Sequence, residues 1–325
     1  MNSFAMGKFV KSLVNPFNLG FIIRAIGENS TRQIIHNFSN YASHEYQIYM
    51  QNLQGMLEPT TAYIELTTYC PRNCIDCYIP KSARKKKQFM SVDILDKAMT
   101  KTRALGINIY AILGGETLLP ETVPLLRHLV ENYPESTFFV CTNGDYLTSR
   151  PLALEKIISH DSINMVLSID GLSPVTHDAI RGKGSFTNII KSANILHEQR
   201  RLYGVISTIR PENDFEVTSS SFVDWMISNG AAYMSYTFTD RMSVQAVNES
   251  LDRINALKNK PIFVYTSLYG HVGNNNRSRN YRPLAIDMRG NVFDARRRRD
   301  VIGNVNGDLS RLSSDPKWIE GFYEK

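Results

Sequence analysis

Between residues 59 and 240 the chain switches repeatedly between two hydrophobic periods. Short runs dense in apolar and β-branched residues predict six strands: AYIELTT, INIYAILGG, TFFVCTNG, INMVLSIDG, YGVISTIRP and AYMSYTF. Between them lie segments with apolar residues three and four apart. SVDILDKAMTKTRALG predicts a helix that opens on a Ser cap at Ser91 and stops at Gly106. PETVPLLRHLVENY, PLALEKIISH, FTNIIKSANILHEQR and SSSFVDWMISNG read the same way. Each strand but the last is followed by a helix, which argues for a parallel sheet with helical crossovers, open or barrel-like.

The flanks differ from this middle. Residues 1–58 read as a helical arm of mixed polarity that ends near Pro59. Residues 241–260 read as a polar helical connector. Beyond them LAIDMRGNVFDA predicts a hairpin turning at Arg289-Gly290-Asn291, followed by a turn and a short helix. The expected division is therefore 1–58, 59–240 and 241–325.

At 325 residues, 42% hydrophobic and 21% charged, the chain can bury a sizeable core. The net charge of +6 suits an anionic substrate, a membrane surface or nucleic acid. The arm MGKFVKSLVNPFNLGFIIRAIGENS mixes Phe9, Val10, Leu13 and Phe17 with Lys8, Lys11 and Arg24. No stretch of it reaches the ~18–20 apolar residues that span a bilayer, and it lacks a signal-peptide pattern. It reads either as an amphipathic helix lying on a membrane through residues 4–24, or as a helix against its own domain. A cytoplasmic protein, at most peripheral to the inner face of the membrane, is expected. Two basic runs, KSARKKKQ at 81–88 and RRRR at 296–299, accompany no recognised nucleic-acid module, so nucleic acid is not expected.

Three of the four cysteines, Cys70, Cys74 and Cys77, follow the first predicted strand directly. They are set too closely to staple distant segments, so metal binding in a reducing compartment is the better reading. Three thiolates around a [4Fe–4S] cube leave one iron without a protein ligand. A closed zinc site would want a fourth ligand, which Cys141 could supply. In parallel α/β folds, sites gather at the C-terminal ends of the strands. Gly114-Gly115-Glu116, Thr142-Asn143-Gly144 and Ser168 to Gly171 all fall there, on the same rim as the cysteines.

The series CPRNCIDC, LGGETLL, CTNGDYL and LSIDGLSPVTHDAIRGKGSF resembles the radical S-adenosylmethionine (SAM) enzymes over roughly residues 60–240. That resemblance implies a partial (β/α)6 TIM-like barrel with the helical arm and a small C-terminal hairpin and helix extension. It implies one [4Fe–4S] cluster on Cys70, Cys74 and Cys77, with SAM chelating the open iron. Electron transfer from the reduced cluster would then split SAM into methionine and a 5′-deoxyadenosyl radical. Gly114, Gly115 and Glu116 match the element that meets the methionine moiety, the glycines letting backbone approach it. Ser168 and Asp170 match positions at the ribose and carboxylate region, and Arg181 matches an arginine that pairs with the SAM carboxylate. Asn143 lines the site. An aromatic residue commonly precedes the third cysteine; Asp76 stands there instead, with Tyr78 just beyond as a substitute adenine contact. The tail resembles the SPASM and twitch extensions, but Ala295 occupies the place of their auxiliary-cluster cysteine. A flavodoxin- or ferredoxin-like reductant is implied. The substrate is expected to be a peptide or natural-product intermediate. The alternatives are a lipid-linked or other anionic small molecule and, in another class, a non-catalytic zinc or iron–sulfur protein using Cys141.

Overall fold

The computed structural model describes residues 24, 26–257, 260, 262–266, 283–295 and 300–323. The expected membrane-facing stretch 4–24 therefore lies outside the described residues except for Arg24, as does the run 296–299. All six predicted strands are present: β1 (Thr61–Glu65), β2 (Ile109–Leu113), β3 (Thr137–Thr142), β4 (Ile163–Ser168), β5 (Tyr203–Ile209) and β6 (Tyr233–Phe238). Four more follow: β7 (Phe263–Thr266), β8 (Pro283–Ile286), β9 (Asn291–Asp294) and β10 (Val301–Asn304).

The chain divides into two compact units. The first is formed by described residues within Met1–Ile35, Arg72–Tyr78 and Cys141–Ser267, the second by those within His36–Pro71, Ile79–Val140 and Leu268–Lys325. In the first unit β4, β5, β6 and β7 run side by side and all parallel. The connector helix Val244–Ala256 thus serves as one more crossover, extending the strand–helix series to β7. Its Ser243 hydroxyl accepts the Ala246 N–H and caps it. In the second unit the order is β10-β9-β8-β1-β2-β3, parallel from β8 through β1 and β2 to β3 and antiparallel among β8, β9 and β10.

Burial follows the pattern read from the sequence. β1 and β4 are buried on both faces except at their last residues, as expected of parallel strands covered by helices. The helix Val92–Ala104 is capped by Ser91, which accepts the Ile94 N–H, and turns Leu95, Ala98, Met99 and Thr102 inward. The tail hairpin forms as expected. Its turn is closed by the Asp287 carboxylate, which accepts the Arg289 and Asn291 N–H groups. Ala295, just after it, is fully buried in a cluster with Tyr63 and Ala285.

The helix Thr31–Gln54 follows the arm. In the first unit its Gln33 amide is wholly buried and donates to the Ile163 and Leu202 carbonyls, while its carbonyl accepts the Leu202 N–H. Arg24 donates to the carbonyls of Ile227 and Ala231 and pairs with Glu28. The described end of the arm is therefore fastened to its own unit. Among the described residues no helix is long and apolar enough to cross a membrane.

Candidate functional site

The expected site residues fall into two groups, one in each unit. In the second unit, β1 and β2 run parallel with Glu65 opposite Leu113, so Cys70 and Gly114–Glu116 leave the same end of adjacent strands. Backbone bonds couple them. Gly115 N–H donates to the Thr67 carbonyl at 2.7 Å and Glu116 N–H to the Tyr69 carbonyl at 3.0 Å. Gly114 has φ +144°, and a Cβ there would meet the Thr67 carbonyl oxygen at 2.4 Å. A Cβ on Gly115 would meet the Tyr69 carbonyl oxygen at 1.9 Å. The glycines were expected to let backbone approach a bound methionine moiety. In the structure their missing side chains make room for the main chain that leads into Cys70. Glu116 is buried and accepts the Leu118 N–H at 3.0 Å, closing the same turn.

On the far side of Cys70, its N–H donates to the Arg84 carbonyl at 3.1 Å, and the Thr68 hydroxyl donates to the Ala83 carbonyl at 3.2 Å. Arg84 belongs to the first basic run and was expected in a solvated loop or at the mouth of the site. It is instead only 5% exposed, and among the described residues its Nε and Nη1 have no hydrogen-bond partner. A buried guanidinium so placed is costly until an anion meets it.

In the first unit the centre of the group is Asp170, two residues beyond β4 and wholly buried. Its Oδ2 accepts Arg181 Nε at 2.7 Å and Arg210 Nη1 at 3.2 Å, and Oδ1 accepts the Thr208 N–H at 2.8 Å. Burial alone would raise this carboxyl, but the two guanidinia and the N–H outweigh it and hold it below the usual carboxylate range. The Asp170 N–H in turn donates to His177 Nδ1 at 3.1 Å, and burial pushes that imidazole down to about 4, so it stays neutral. Asn213 donates to the Asp170 carbonyl at 3.1 Å. Asp170 was expected at the edge of a ligand; its carboxylate is instead engaged in holding arginines.

Arg181 is the arginine thus held. Burial would lower its pKa, but Asp170 and the Cys74 and Cys77 sulfurs outweigh burial and raise it. Its Nε is taken by Asp170, and no described residue accepts from its Nη groups. Its carbonyl lies 4.0 Å from Cys74 Sγ. The loop bearing Cys74 and Cys77 is fastened to the same segment, since Ile75 N–H donates to the Ile180 carbonyl at 2.9 Å. Arg72 forks onto Asp145, with Nε at 2.6 Å from Oδ2, and also donates to the Arg181 carbonyl at 3.2 Å. Asn143 Oδ1 caps Asp145 N–H at 3.0 Å. Asp178 binds the N–H groups of Gly184 and Phe186, each at 2.7 Å, and so shapes the turn after Arg181.

Ser168 ends β4 opposite Ile206 and is half-buried. Tyr78 is 57% exposed. Cys141, the proposed fourth ligand of the zinc alternative, is half-buried and lies within electrostatic reach of the half-buried Tyr233 phenol, which donates to the Met165 carbonyl within β4. Sequence reasoning missed Arg72, Asp145, His177, Asp178 and Arg210. Arg72 and Asp145 meet across 73 positions and Arg210 meets Asp170 across 40, while His177 and Asp178 bond backbone N–H groups six to eight residues away, and residue type announces none of these bonds.

The donor set fits an iron–sulfur cluster. Cys70, Cys74 and Cys77 form no disulfide and are half-buried. Among the described residues no three His, Cys, Asp or Glu side chains gather as the ligands of a single metal ion. The Arg181 guanidinium, within electrostatic reach of Cys74 and Cys77 and with Nη groups that no described residue accepts from, suits negative charge.

Comparison with known proteins accords with this chemistry. Residues 64–220 match the model of the Radical SAM superfamily. The antilisterial bacteriocin subtilosin biosynthesis protein AlbA of Bacillus subtilis is 26% identical over 184 residues, 56% of this chain and 40% of AlbA. The mycofactocin maturase MftC of Mycolicibacterium smegmatis is 27% identical over 143 residues, 43% of this chain and 34% of MftC. The matched part is thus well under half the length of either relative. Streptococcus suis SuiB, solved with its precursor peptide SuiA, shares the fold over 89% of this chain and 72% of its own, at a TM-score of 0.65 and 14% identity. SuiB has also been solved with S-adenosylmethionine bound.

Proposed function

Taking residues 64–220 as the radical SAM superfamily domain that this chain carries, we propose that the protein is an enzyme acting on a peptide or peptide-derived intermediate. A [4Fe–4S] cluster on three cysteines and SAM are the cofactors that go with such a domain. When bound together they supply a 5′-deoxyadenosyl radical, with methionine as co-product, for hydrogen abstraction.

In this reading Cys70, Cys74 and Cys77 are the cluster ligands. Gly114 and Gly115 seat the main chain before Cys70, and Glu116 locks that seat by bonding to Leu118 N–H. Arg181 meets the SAM carboxylate with its Nη groups, a fork suited to a planar carboxylate. Asp170 holds that fork from behind through Nε, and Ser168, Asn143 and Tyr78 complete the polar and aromatic lining. His177, neutral and buried, fixes the backbone of Asp170 by accepting its N–H. The single observation that carries the reading is Arg181: it is anchored on a buried carboxylate, set against Cys74, and keeps its remaining donors unclaimed.

The peptide assignment draws on the printed roles of AlbA and MftC and on the SuiA peptide bound to SuiB. A small flavodoxin- or ferredoxin-like protein, drawn by the basic run 81–88, would deliver the electron. The test is anaerobic reconstitution with iron and sulfide, followed by dithionite, SAM and candidate precursor peptides. Mass shifts on a peptide support the assignment. SAM cleavage that only an anionic lipid-linked substrate stimulates would replace it.

A further inference from the structure

The loop that carries Cys74 and Cys77 also carries Asp76. Its backbone is left-handed, with φ 53°. Its Oδ2 accepts Arg241 Nε at 2.7 Å and lies 3.7 Å from Arg210 Nε. Arg241 in turn forks onto Glu212, with bonds of 2.6 and 2.7 Å. These residues leave the C-terminal ends of β5 and β6, so one carboxylate on the cysteine loop is gripped from two strand ends.

The two grips differ in kind. The Arg241 and Glu212 side chains are 42% and 55% exposed, and such pairs contribute little because water screens them. Arg210 is 4% exposed. It donates to the Thr208 carbonyl at 2.8 Å and the Ile75 carbonyl at 3.2 Å, and its anionic partners are Asp76 and Asp170. Among the described residues its Nε makes no hydrogen bond, and it faces the Asp76 carboxylate. Asp170 Oδ2 is therefore shared by two guanidinia, those of Arg181 and Arg210. Asp76 supplies the second negative charge that lets both remain. Without it, two buried cations compete for one carboxylate oxygen, and Arg181 loses part of its anchor.

We propose that Asp76 is a positioning residue for the Arg181 fork, acting through Arg210 and Asp170, and that it thereby sets affinity for the carboxylate of SAM. This rests on the reading that Arg181 meets that carboxylate. The line Asp76, Arg210, Asp170, Arg181 alternates in sign from the cysteine loop to the fork. Its formal charges cancel, so the charge brought by an anionic ligand falls on the unclaimed Nη groups of Arg181. Arg241 orients Asp76 from the solvent side and matters less.

The test uses the full chain reconstituted anaerobically, with binding measured calorimetrically for SAM and for 5′-methylthioadenosine, which lacks the carboxylate. Asp76→Asn suits the test because Asn tolerates the left-handed backbone while removing the charge. It is expected to weaken SAM binding about five- to tenfold, leaving iron content and 5′-methylthioadenosine binding unchanged. Arg241→Ala is expected to weaken SAM binding by less than about threefold. Equal affinity of wild type and Asp76→Asn for SAM would overturn the inference, as would parallel loss of both ligands. If Asp76→Asn takes up no iron, Asp76→Glu decides: iron uptake with SAM bound supports the charge argument, and its failure to bind SAM refutes it. A wild-type protein that takes up iron but binds no SAM would instead refute the Arg181 reading itself.

Discussion

Gly115→Ala puts the coupling between the cysteine loop and the second strand under direct strain. The backbone at Gly115 is not left-handed, so the cost of the new methyl group is contact alone. Its Cβ would stand 1.9 Å from the Tyr69 carbonyl oxygen, 2.3 Å from the Tyr69 carbonyl carbon and 2.7 Å from the Thr68 carbonyl oxygen. All three are main chain, so no side chain can swing aside. Separation to about 3.0 Å from the nearest atom requires a shift of roughly 1.1 Å (3.0 − 1.9). Such a shift breaks the bonds from Gly115 N–H to Thr67 and from Glu116 N–H to Tyr69. At about 1 kcal/mol for each bond and about 1–3 kcal/mol for overpacking, the loss of stability is about 3–5 kcal/mol. Urea unfolding of the cluster-free protein measures that loss, and iron content after reconstitution shows whether Cys70 remains in place. The expected result is a lower unfolding midpoint and iron reduced at least severalfold. Wild-type stability with full iron content would refute the claim that these glycines seat the loop.

Other substitutions test separate parts of the account. Arg84→Met removes a buried cation whose Nε and Nη1 have no hydrogen-bond partner among the described residues, so the cluster-free protein should gain about 1–3 kcal/mol by urea unfolding. Cys141→Ser should leave iron uptake unchanged, whereas a loss of bound metal would favour the zinc alternative. His177 is depressed to about 4 from an ordinary 6.5 by burial, so between those values the unfolded chain holds a proton that the folded chain refuses. The stability it contributes is complete above about pH 6.5 and falls as the pH drops towards 4, with a slope approaching about 1.4 kcal/mol per pH unit. His44, also buried and depressed to about 4, acts in the same window. The comparison of urea midpoints for wild type and His177→Gln from pH 7 to pH 4 isolates the His177 share.

The strands were legible because hydrophobic period and β-branching are local properties, and β1 to β6 lie where those signals put them. The connector helix was legible too, but its role as a crossover to β7 depends on pairing of Tyr233–Tyr236 with Phe263–Thr266, which a helical period does not express. The cysteines, the glycine pair and Arg181 stood out by residue type and order. Their supports did not. Arg72 meets Asp145 and Asp76 meets Arg241 across 73 and 165 positions of sequence. Charged residues of this kind look alike in sequence whether they face water or a buried partner. The glycines show the reverse case: their need was legible, while its cause, the Thr67 and Tyr69 main chain, appeared only once β1 and β2 were side by side.

In the proposed function three cysteines and a held arginine serve SAM cleavage. The most direct measurement is 5′-deoxyadenosine released by anaerobically reconstituted protein given dithionite and SAM. The wild-type protein is expected to be brown and to release 5′-deoxyadenosine together with methionine, and a Cys74→Ala variant to release none. A colourless, zinc-filled protein that releases none, and whose metal is lost on Cys141→Ser, would contradict the proposed function.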